Sequence, residues 1–262
     1  MNLTFFKYQS AGNDFVIIDN RAKTFPKNNT DIISFLCKRC FGIGADGLIL
    51  LENDKHNDFK MLYYNLDGSK NTMCGNGGIC IVAFAKKLGL CELKTSFNAV
   101  DNLYRAWIKN HSISLQMKDI DKVEIYDSHC FVDTGSPHHV ELASNLDSFK
   151  VNERGKKIRN ELYGGKGSNV NFVEQLSKDS FKIRTYERGV ENETLACGTG
   201  AVAVAVAMFA IKKTKDNFVK IIAKGGELLV SFNENKGSYN KVFLTGSATF
   251  VYKGEIVVNA NS

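Results

Sequence analysis

The sequence predicts an α+β protein built from two similar halves, and three observations lead to this prediction. Segments of strand length, rich in β-branched and aromatic residues, alternate with apolar segments of helix length. The second half passes through the same order of strands and turns as the first, which indicates an internal duplication. Each half also places a Cys-Gly-x-Gly turn directly before an apolar helix, at Cys74 and at Cys197.

These halves define the expected domains. The N-terminal repeat covers residues 1–118, and we expect the C-terminal strand, at about residues 250–262, to join it. The C-terminal repeat covers residues 119–249. Two pseudo-symmetric domains can face each other across a cleft, and we expect the active site in that cleft.

The elements of the first half follow from local patterns. Strands are predicted where β-branched and aromatic residues lie between turn residues, and helices where apolar residues recur every three to four positions. We expect Thr30 or Asp31 to cap the first helix and Gly89 to end the second. In chain order, the pattern places a strand from residue 4, a turn at 10–14, a strand at 15–19, a helix at 31–40, a glycine-rich loop at 42–47, strands at 48–52 and 59–64, a turn at 65–69, a helix after Cys74, and strands near 94–95, at 103–108 and at 113–117.

The second half repeats this order with a strand, turn and strand at 131–142, a glycine-rich loop at 165–169, strands at 170–174 and from 181, and the Cys197 turn. One local signal is ambiguous, because residues 201–206 alternate large and small side chains, as a strand can. The length of the apolar run and its alanines favour a helix, and apolar residues on all sides indicate that this helix is buried.

The composition is that of a soluble globular protein, with 44% hydrophobic and 24% charged residues. The net charge is +6, but the basic residues are spread along the chain, so we expect no nucleic-acid partner. The longest apolar run covers residues 201–211, and a membrane span needs about twenty residues, so we expect no membrane partner. The N-terminus starts like a strand without a secretory apolar segment, which favours a cytoplasmic location.

The Cys-Gly-x-Gly turns carry the chemistry. The first amide groups of a helix have no partner within it, and the helix dipole adds partial positive charge there. A thiol at such a place is acidified, and the same amides can hold a carboxylate. Each turn therefore offers a reactive sulfur beside an anion site, at Cys74 and at Cys197.

Two such cysteines suit a racemase or epimerase. Inversion of a carbon centre needs a base on one face and an acid on the other, and a thiolate and a thiol form such a pair. Amides at both helix N-termini can stabilise charge that develops on the substrate carboxylate. Glu187 and His138 are candidates by position for tuning the pKa values of the two sulfurs.

The other cysteines favour a different interpretation only weakly. Seven cysteines are an odd number, and their spacing does not suggest a disulfide framework. Cys37 and Cys40 form a lone C-x-x-C, which is typical of a redox pair or of half a zinc site. No second pair stands at ligand spacing, and residues 31–40 have the pattern of an amphipathic helix, so we expect no metal site.

The sequence also resembles the diaminopimelate epimerase family over nearly its whole length. The motifs that carry the resemblance are Gly12-Asn13-Asp14-Phe15, Gly42-Ile43-Gly44-Ala45-Asp46-Gly47, Asn65-Leu66-Asp67-Gly68-Ser69, Met73-Cys74-Gly75-Asn76-Gly77, Gly135-Ser136-Pro137-His138, Asn169-Val170-Asn171-Phe172, Tyr186-Glu187-Arg188-Gly189, and the run from Glu193 through Cys197-Gly198-Thr199-Gly200 to Ala201. The resemblance implies two domains, each a mainly antiparallel sheet wrapped around a central helix. It also implies the interconversion of LL- and meso-diaminopimelate, in lysine and peptidoglycan precursor synthesis, without pyridoxal phosphate or metal.

The resemblance implies a role for each matched residue. Cys74 and Cys197 are the acid–base pair, and the protein is a homodimer with Tyr252 at its interface. The implied substrate-binding residues are Asn13, Asn65, Gly75, Asn76, Asn169, Glu187, Arg188, Gly198 and Thr199, with Gly47 and Ser136 as possible further contacts. The planar guanidinium of Arg188 suits the distal carboxylate because it can bind both oxygens. Without the resemblance, asparagines in turns and an adjacent Glu-Arg pair are typical of structural and surface positions.

Three positions depart from the family pattern. Ile79 stands where the family usually has Arg, Gly47 where some members have Gln, and Ser136 where many have Asn. Two alternatives therefore stay open. One is a related two-cysteine racemase of proline or hydroxyproline, although that group typically has His at the place of Asn76. The other is a catalytically impaired or redox relative, in which Ile79 marks lost activity.

Overall fold

The chain folds into two compact units. The computed structural model describes residues 1–70, 73–100 and 102–258. Unit 1 comprises Met1–Leu115 with Ser247–Ser262, and unit 2 comprises Gln116–Gly246. Residues 259–262 of the predicted C-terminal strand lie outside the described residues.

Strands and helices are mixed along the whole chain, so the predicted α+β class is confirmed. The elements in the first part of the chain, up to residue 116, are β1 (Asn2–Ser10), β2 (Asn13–Asp19), α1 (Thr30–Cys37), β3 (Gly47–Glu52), β4 (Phe59–Tyr64), α2 (Gly75–Lys87), β5 (Lys94–Ala99), β6 (Asn102–Lys109) and β7 (Ser112–Gln116). Those that follow are β8 (Val123–Ile125), β9 (Cys130–Asp133), β10 (Pro137–Leu142), a 3₁₀ turn (Leu146–Ser148), α3 (Val151–Glu161), β11 (Asn169–Gln175), β12 (Ser180–Glu187), β13 (Asn192–Thr194), α4 (Gly198–Ala210), β14 (Phe218–Ala223), β15 (Gly226–Asn235), β16 (Ser238–Ser247) and β17 (Thr249–Val257).

Both units pair their strands in the same series. In unit 1, β1–β2 is antiparallel, β2–β3 parallel, β3–β4 antiparallel, β4–β5 parallel, and β5–β6 and β6–β7 antiparallel. In unit 2, β9–β10 is antiparallel, β10–β11 parallel, β11–β12 antiparallel, β12–β14 parallel, and β14–β15 and β15–β16 antiparallel. The repeat that the sequence shows is therefore a repeat of backbone pairing. β17 adds to unit 1 by pairing antiparallel with β1.

One apolar helix lies buried against the sheet of each unit. α2 packs against β1, β2, β3 and β4, and α4 packs against β9, β10, β11, β14 and β15. Ten of the thirteen residues of each helix are buried. The alternating run at 201–206 is thus helical, as its length and alanines predict. Gly89, with φ +74°, ends α2 as predicted, because its N–H bonds to the carbonyl of Lys86.

The first helix differs from the prediction at both ends. Its N-cap is Asn29, whose side chain accepts the N–H of Ile32, so the expectation of Thr30 or Asp31 is wrong. The helix ends at Cys37 instead of residue 40, because the chain folds back and the N–H groups of residues 43 and 44 bond to the carbonyl of Leu36.

The sequence patterns missed α3. Only three of its residues are buried, Val151, Gly155 and Ile158, so its apolar stripe is narrow. Gly155 allows α3 to approach β12 closely, since a Cβ placed on it would lie 2.4 Å from the Cβ of Tyr186.

We expect Gly155→Ala to lower the unfolding free energy by ~1–3 kcal/mol, because the added methyl overpacks the contact with Tyr186. The midpoint of urea unfolding measures the change. Gly165→Ala is the matched control, since its Cβ meets no heavy atom of the described residues within 4 Å. A Gly155→Ala protein as stable as the control would contradict the close packing of α3.

Candidate active site

The sulfur of Cys74 lies at the N-terminus of α2. Cys74 is the N-cap residue in extended conformation, and its Sγ accepts the N–H of Gly77 at 3.5 Å. The thiol is half-buried. A sulfur that accepts a helix N–H receives the field that favours a thiolate, as the turn sequence predicts.

Asn13 is in contact with this sulfur. Its Oδ1 lies 3.6 Å from Cys74 Sγ and 3.5 Å from Nδ2 of Asn76, which is fully buried. Its Nδ2 donates to Asp46 Oδ2 at 2.7 Å. The structure therefore brings together three of the predicted site residues of unit 1, namely Asn13, Cys74 and Asn76.

A cluster of charged side chains surrounds Asp46, the hydrogen-bond partner of Asn13. Asp14 is paired with Lys7 at 2.7 Å and with Arg39 at 2.6 Å, and Arg39 also bonds Asp46 at 2.9 Å. Burial opposes ionisation of Asp14, but the hydrogen bonds from Arg39 and Lys7 outweigh it and hold the pKa of Asp14 below its usual value. Sequence reasoning gave no role to these residues.

Asn65 lies in a tight turn after β4. Its backbone N–H bonds the carbonyl of Ser69 at 2.9 Å, and its Nδ2 lies 3.2 Å from Ser69 Oγ. Gly68, with φ +81°, passes so close to Thr30 that a Cβ would lie 2.4 Å from the Thr30 carbonyl oxygen. The turn is thus fixed by packing.

Cys197 occupies the matching place in unit 2. It is the N-cap residue of α4, it is buried, and its Sγ lies 3.4 Å from Oγ1 of Thr199. A Cβ on Gly200 would lie 3.4 Å from Cys197 Sγ and 2.6 Å from Asn171 Oδ1. Glycine at this position therefore lets the first turn of α4 fit between the sulfur and Asn171.

His138 is fully buried at the start of β10. Burial, with a further contribution from the charge of Arg188, lowers the pKa of His138 to about 3, so the ring is neutral at physiological pH. Its Nδ1 lies 3.2 Å from Nδ2 of Asn171, and that amide also donates to the carbonyl of His139 at 2.9 Å. Nδ1 is therefore the acceptor and Nε2 carries the proton. Nε2 finds no hydrogen-bond partner among the described residues.

Sequence reasoning missed Asn171, the residue that fixes this ring. Its Oδ1 accepts the hydroxyl of Thr185 at 2.9 Å, so both ends of the amide are bonded. The available signal was its spacing, because Asn169 and Asn171 are two residues apart on β11 and point to the same face.

Asn169, Glu187 and Arg188 lie together where β11 and β12 pair. Asn169 Oδ1 accepts the backbone N–H of Arg188 at 2.9 Å, and its Nδ2 donates to the carbonyl of Pro137 at 3.3 Å. Glu187 Oε2 accepts the hydroxyl of Thr194 at 3.0 Å. The exposed Arg188 side chain donates to the carbonyl of Lys166 at 3.0 Å. Asn169 thus orients the segment that carries the other two side chains.

The remaining predicted positions differ in their surroundings. Gly47 is buried in β3, where a Cβ would lie 2.5 Å from the ring of Tyr63, so a larger residue does not fit. Ser136 is half-buried beside β10, and its carbonyl accepts the N–H of Thr134. Ile79 is fully buried in α2, where its side chain serves packing.

Tyr252 lies on β17 with 43% of its surface exposed, and its ring packs edge-on against Phe5 with centroids 5.8 Å apart.

The C-x-x-C pair does not have the surroundings of a redox centre. Cys37 is buried, which raises the pKa of its thiol to about 12, whereas Cys40 is exposed. Within residues 1–70, 73–100 and 102–258, no group of three or more His, Cys, Asp or Glu side chains is arranged to hold a metal ion. Among the helices in the described part of the chain, none has the length and apolar character needed to cross a membrane.

The chain is similar to known proteins over most of its length. The family model described as "Diaminopimelate epimerase" matches residues 5–102 and 130–251. The chain belongs to the diaminopimelate epimerase family. A diaminopimelate epimerase of Flavobacterium psychrophilum is 57% identical over 253 residues, which cover 96% of this chain and 99% of the relative. One of Chlorobaculum tepidum is 43% identical over 260 residues, which cover 95% and 99%.

Solved structures share the fold at low sequence identity. A PhzF-family phenazine biosynthesis protein of Bacillus anthracis has a TM-score of 0.80 at 13% identity, covering 98% of this chain and 100% of that chain. A hydroxyproline epimerase of Agrobacterium vitis has a TM-score of 0.72 at 14% identity, covering 97% and 92%. At these identities the likeness shows the fold alone, so it lends no functional support to the proline or hydroxyproline alternative.

Membership in the diaminopimelate epimerase family confirms the predicted fold and the predicted enzyme class, an isomerase of lysine biosynthesis. The predicted role of each site residue stays a prediction. In unit 1, Asn13 lies close to both Cys74 and Asn76. In unit 2, Thr199 lies close to Cys197.

The neutral, buried His138 predicts a pH dependence of stability. Its pKa is about 3 in the folded protein against 6.5 in the unfolded chain, so the unfolded chain takes up the proton first as the pH falls. Below pH 6.5 this group therefore lowers the unfolding free energy by at most ~1.4 kcal/mol per pH unit, and the loss ends near the folded pKa.

Urea unfolding between pH 7 and pH 4 measures this slope, which we expect to be shallower in His138→Gln than in the unchanged protein. His111→Gln, at an exposed position, is the control and keeps the original slope. Equal slopes in both variants would contradict a neutral, buried His138.

Proposed function

We propose that the protein interconverts LL- and meso-2,6-diaminopimelate, with Cys74 and Cys197 as its two acid–base groups. The observation that carries this proposal is that each cysteine is the N-cap residue of a buried helix, in two units with the same strand series. The close relatives bear the name diaminopimelate epimerase, which supports the substrate.

The proposed reaction is two proton transfers at one carbon. The thiolate of one cysteine removes the α-proton and becomes a thiol, and the electron pair stays on the substrate as a carbanion. The thiol of the other cysteine then donates its proton to the opposite face and becomes a thiolate. The reverse reaction uses the same pair with the roles exchanged, and before another turnover in the same direction the first thiol releases a proton to solvent and the second thiolate takes one up. One cysteine accepts the proton that leaves the carbon and the other donates the proton that enters, so the proposal includes no cofactor or metal.

The carbanion of the proposed reaction needs stabilisation. Charge that develops on the reacting carbon spreads into its carboxylate, which needs nearby donors. The amides of the first helical turns supply them, at Gly75 and Asn76 in α2 and at Gly198 and Thr199 in α4.

The second amino-carboxylate end of the substrate needs its own ligands. We assign the recognition of the two amino-carboxylate ends to Asn13, Asn65, Asn169, Glu187 and Arg188. Arg188 is exposed at the end of β12, and its planar guanidinium can bind both oxygens of the distal carboxylate. Ser136 and the backbone of Gly47 are the further proposed contacts. The carboxylate of Glu187 and the neutral ring of His138 are the proposed modulators of the sulfur pKa values, His138 as a hydrogen-bond donor through Nε2.

The proposed assembly is a homodimer. Phe250, Val251 and Tyr252 are apolar or aromatic residues of β17, and each exposes more than a third of its surface. Such a run favours burial against a second copy of the chain. We also propose a cytoplasmic location, because all seven cysteines are free thiols, as is usual in a reducing compartment.

We expect Cys74→Ala and Cys197→Ala each to lower kcat for inversion at least about a hundredfold, because each removes one of the two proton carriers. Chiral chromatography after incubation with LL-diaminopimelate in D₂O follows both inversion and deuterium at the α-carbon. Cys91→Ser, at a half-buried cysteine outside the site, is the control. Full activity of either alanine variant would refute the two-base mechanism, and exchange with L-proline instead of diaminopimelate would favour the racemase alternative.

We expect Arg188→Met to raise KM for diaminopimelate roughly tenfold to a hundredfold, because a charge-assisted pair with the distal carboxylate contributes about 1.5–3 kcal/mol. Arg188→Lys keeps the positive charge but loses the planar guanidinium, so we expect its KM to lie between that of the unchanged protein and that of Arg188→Met. Initial-rate kinetics measures both variants beside Arg105→Met, which removes an exposed arginine of β6. An unchanged KM in Arg188→Met would contradict the assignment.

A further inference from the structure

Asp46 has no assigned role in the reaction, yet it touches a residue that touches Cys74. Asp46 Oδ2 accepts the side-chain amide of Asn13 at 2.7 Å and the backbone N–H of Asp14 at 3.2 Å. The other side of Asn13 lies 3.6 Å from Cys74 Sγ. The three side chains thus form a chain that ends at the sulfur.

The carboxylate of Asp46 fixes which end of the Asn13 amide faces the sulfur. An ionised carboxylate only accepts hydrogen bonds, so the group at 2.7 Å from it must be the NH₂ of Asn13. The carbonyl Oδ1 therefore faces Cys74. The amide of Asn76, 3.5 Å from the same Oδ1, supports this orientation because it donates to an oxygen.

This orientation matters because a carbonyl oxygen only accepts. It is stabilised by the S–H of a thiol and repelled by the charge of a thiolate. The N–H of Gly77, which donates to the same sulfur, instead favours the thiolate. Cys74 is thus held between one contact that favours the thiol and one that favours the thiolate.

We propose that Asp46 is a positioning residue that acts through Asn13, whose oriented carbonyl favours the protonated form of Cys74. The proposal builds on the assigned acid–base role of Cys74. Asp46 is itself held in place, because Arg39 bonds its Oδ1 at 2.9 Å and bridges it to Asp14. The position of Asp46 thus depends on a charged cluster, which consists of Lys7, Asp14, Arg39 and Asp46. Through Asp46, this cluster determines that Asn13 presents an acceptor to Cys74.

Two substitutions separate orientation from charge. Asp46→Ala removes the acceptor, so the Asn13 amide is free to turn its NH₂ toward the sulfur and favour the thiolate. Asp46→Asn removes the charge but keeps an acceptor. Its carbonyl takes the place of Oδ2, where two donors meet it, namely the Asn13 amide and the backbone N–H of Asp14. Arg39 then loses its bond to position 46, but its exposed side chain keeps its bonds to Asp14. The orientation of Asn13 therefore survives in Asp46→Asn and is lost in Asp46→Ala.

The pH dependence of alkylation by iodoacetamide measures the effect on the sulfur directly. Mass spectrometry of the Cys74 peptide gives a rate at each pH, and exposed Cys40 in the same sample is the internal reference. In Asp46→Ala we expect the midpoint for Cys74 to fall by about one pH unit, with a roughly tenfold faster rate near pH 7. In Asp46→Asn we expect the midpoint of the unchanged protein. Equal shifts in both variants, no shift in Asp46→Ala, or a rise would overturn the proposal.

A double-mutant cycle tests whether Asp46 acts through Asn13. Asn13→Ala alone should also lower the Cys74 midpoint, and adding Asp46→Ala should then shift it no further. Additive shifts would point to a charge effect and sink the proposal. Alkylation of buried Cys37 reports unfolding of any variant. If Asp46→Ala unfolds, Asn13→Ala is the variant that tests the proposal. An unchanged alkylation midpoint of Cys74 in Asn13→Ala then overturns it. Since no readout needs turnover, it stands or falls separately from the epimerase assay.

Discussion

The structure depends on the placement of a sulfur at the N-terminus of a buried helix. Burial of α2 and α4 requires apolar side chains on every face, and both helices have them. A buried helix end without donors or acceptors from side chains or a ligand leaves amide groups unsatisfied. Cys74 meets part of this need by accepting the N–H of Gly77. In the proposed reaction the substrate carboxylate binds to amides of the first helical turn, so a packing requirement and the proposed binding site coincide at these turns.

Strands β1–β7, β9–β12 and β17 and the two cysteine helices were predictable because their signals are local, whereas β8 and β13–β16 were not predicted. The β-branched runs of β3 and β4 and the glycine that ends α2 need no knowledge of the rest of the chain. The cap of α1 was not predictable in this way. Asn29, Thr30 and Asp31 are all good N-cap residues in succession, so the choice among them depends on how the preceding segment packs. α3 was missed because its surface is mostly charged and one of its three buried residues is a glycine.

The residues of the candidate site also fall into those with a local sequence signal and those without one. The cysteines were found from a repeated local motif, and most other residues only from the family resemblance. Asp46 and Asn171 were missed because their partners lie 33 residues away, at Asn13 and at His138. In each case a parallel strand pair brings the two together, β2 with β3 in unit 1 and β10 with β11 in unit 2. A sequence read one window at a time does not reveal such pairs.

These two parallel pairs occupy equivalent places in the repeat but carry different polar groups. An aspartate and an asparagine lie beside Cys74, and an asparagine and a neutral histidine lie in the unit of Cys197. Gene duplication alone would have left two identical environments. In the proposed reaction both sulfurs act on the same carbon from opposite faces, and the two faces present different groups to the protein. Divergence of the side chains on a repeated backbone pattern thus gives each sulfur its own chemical surroundings.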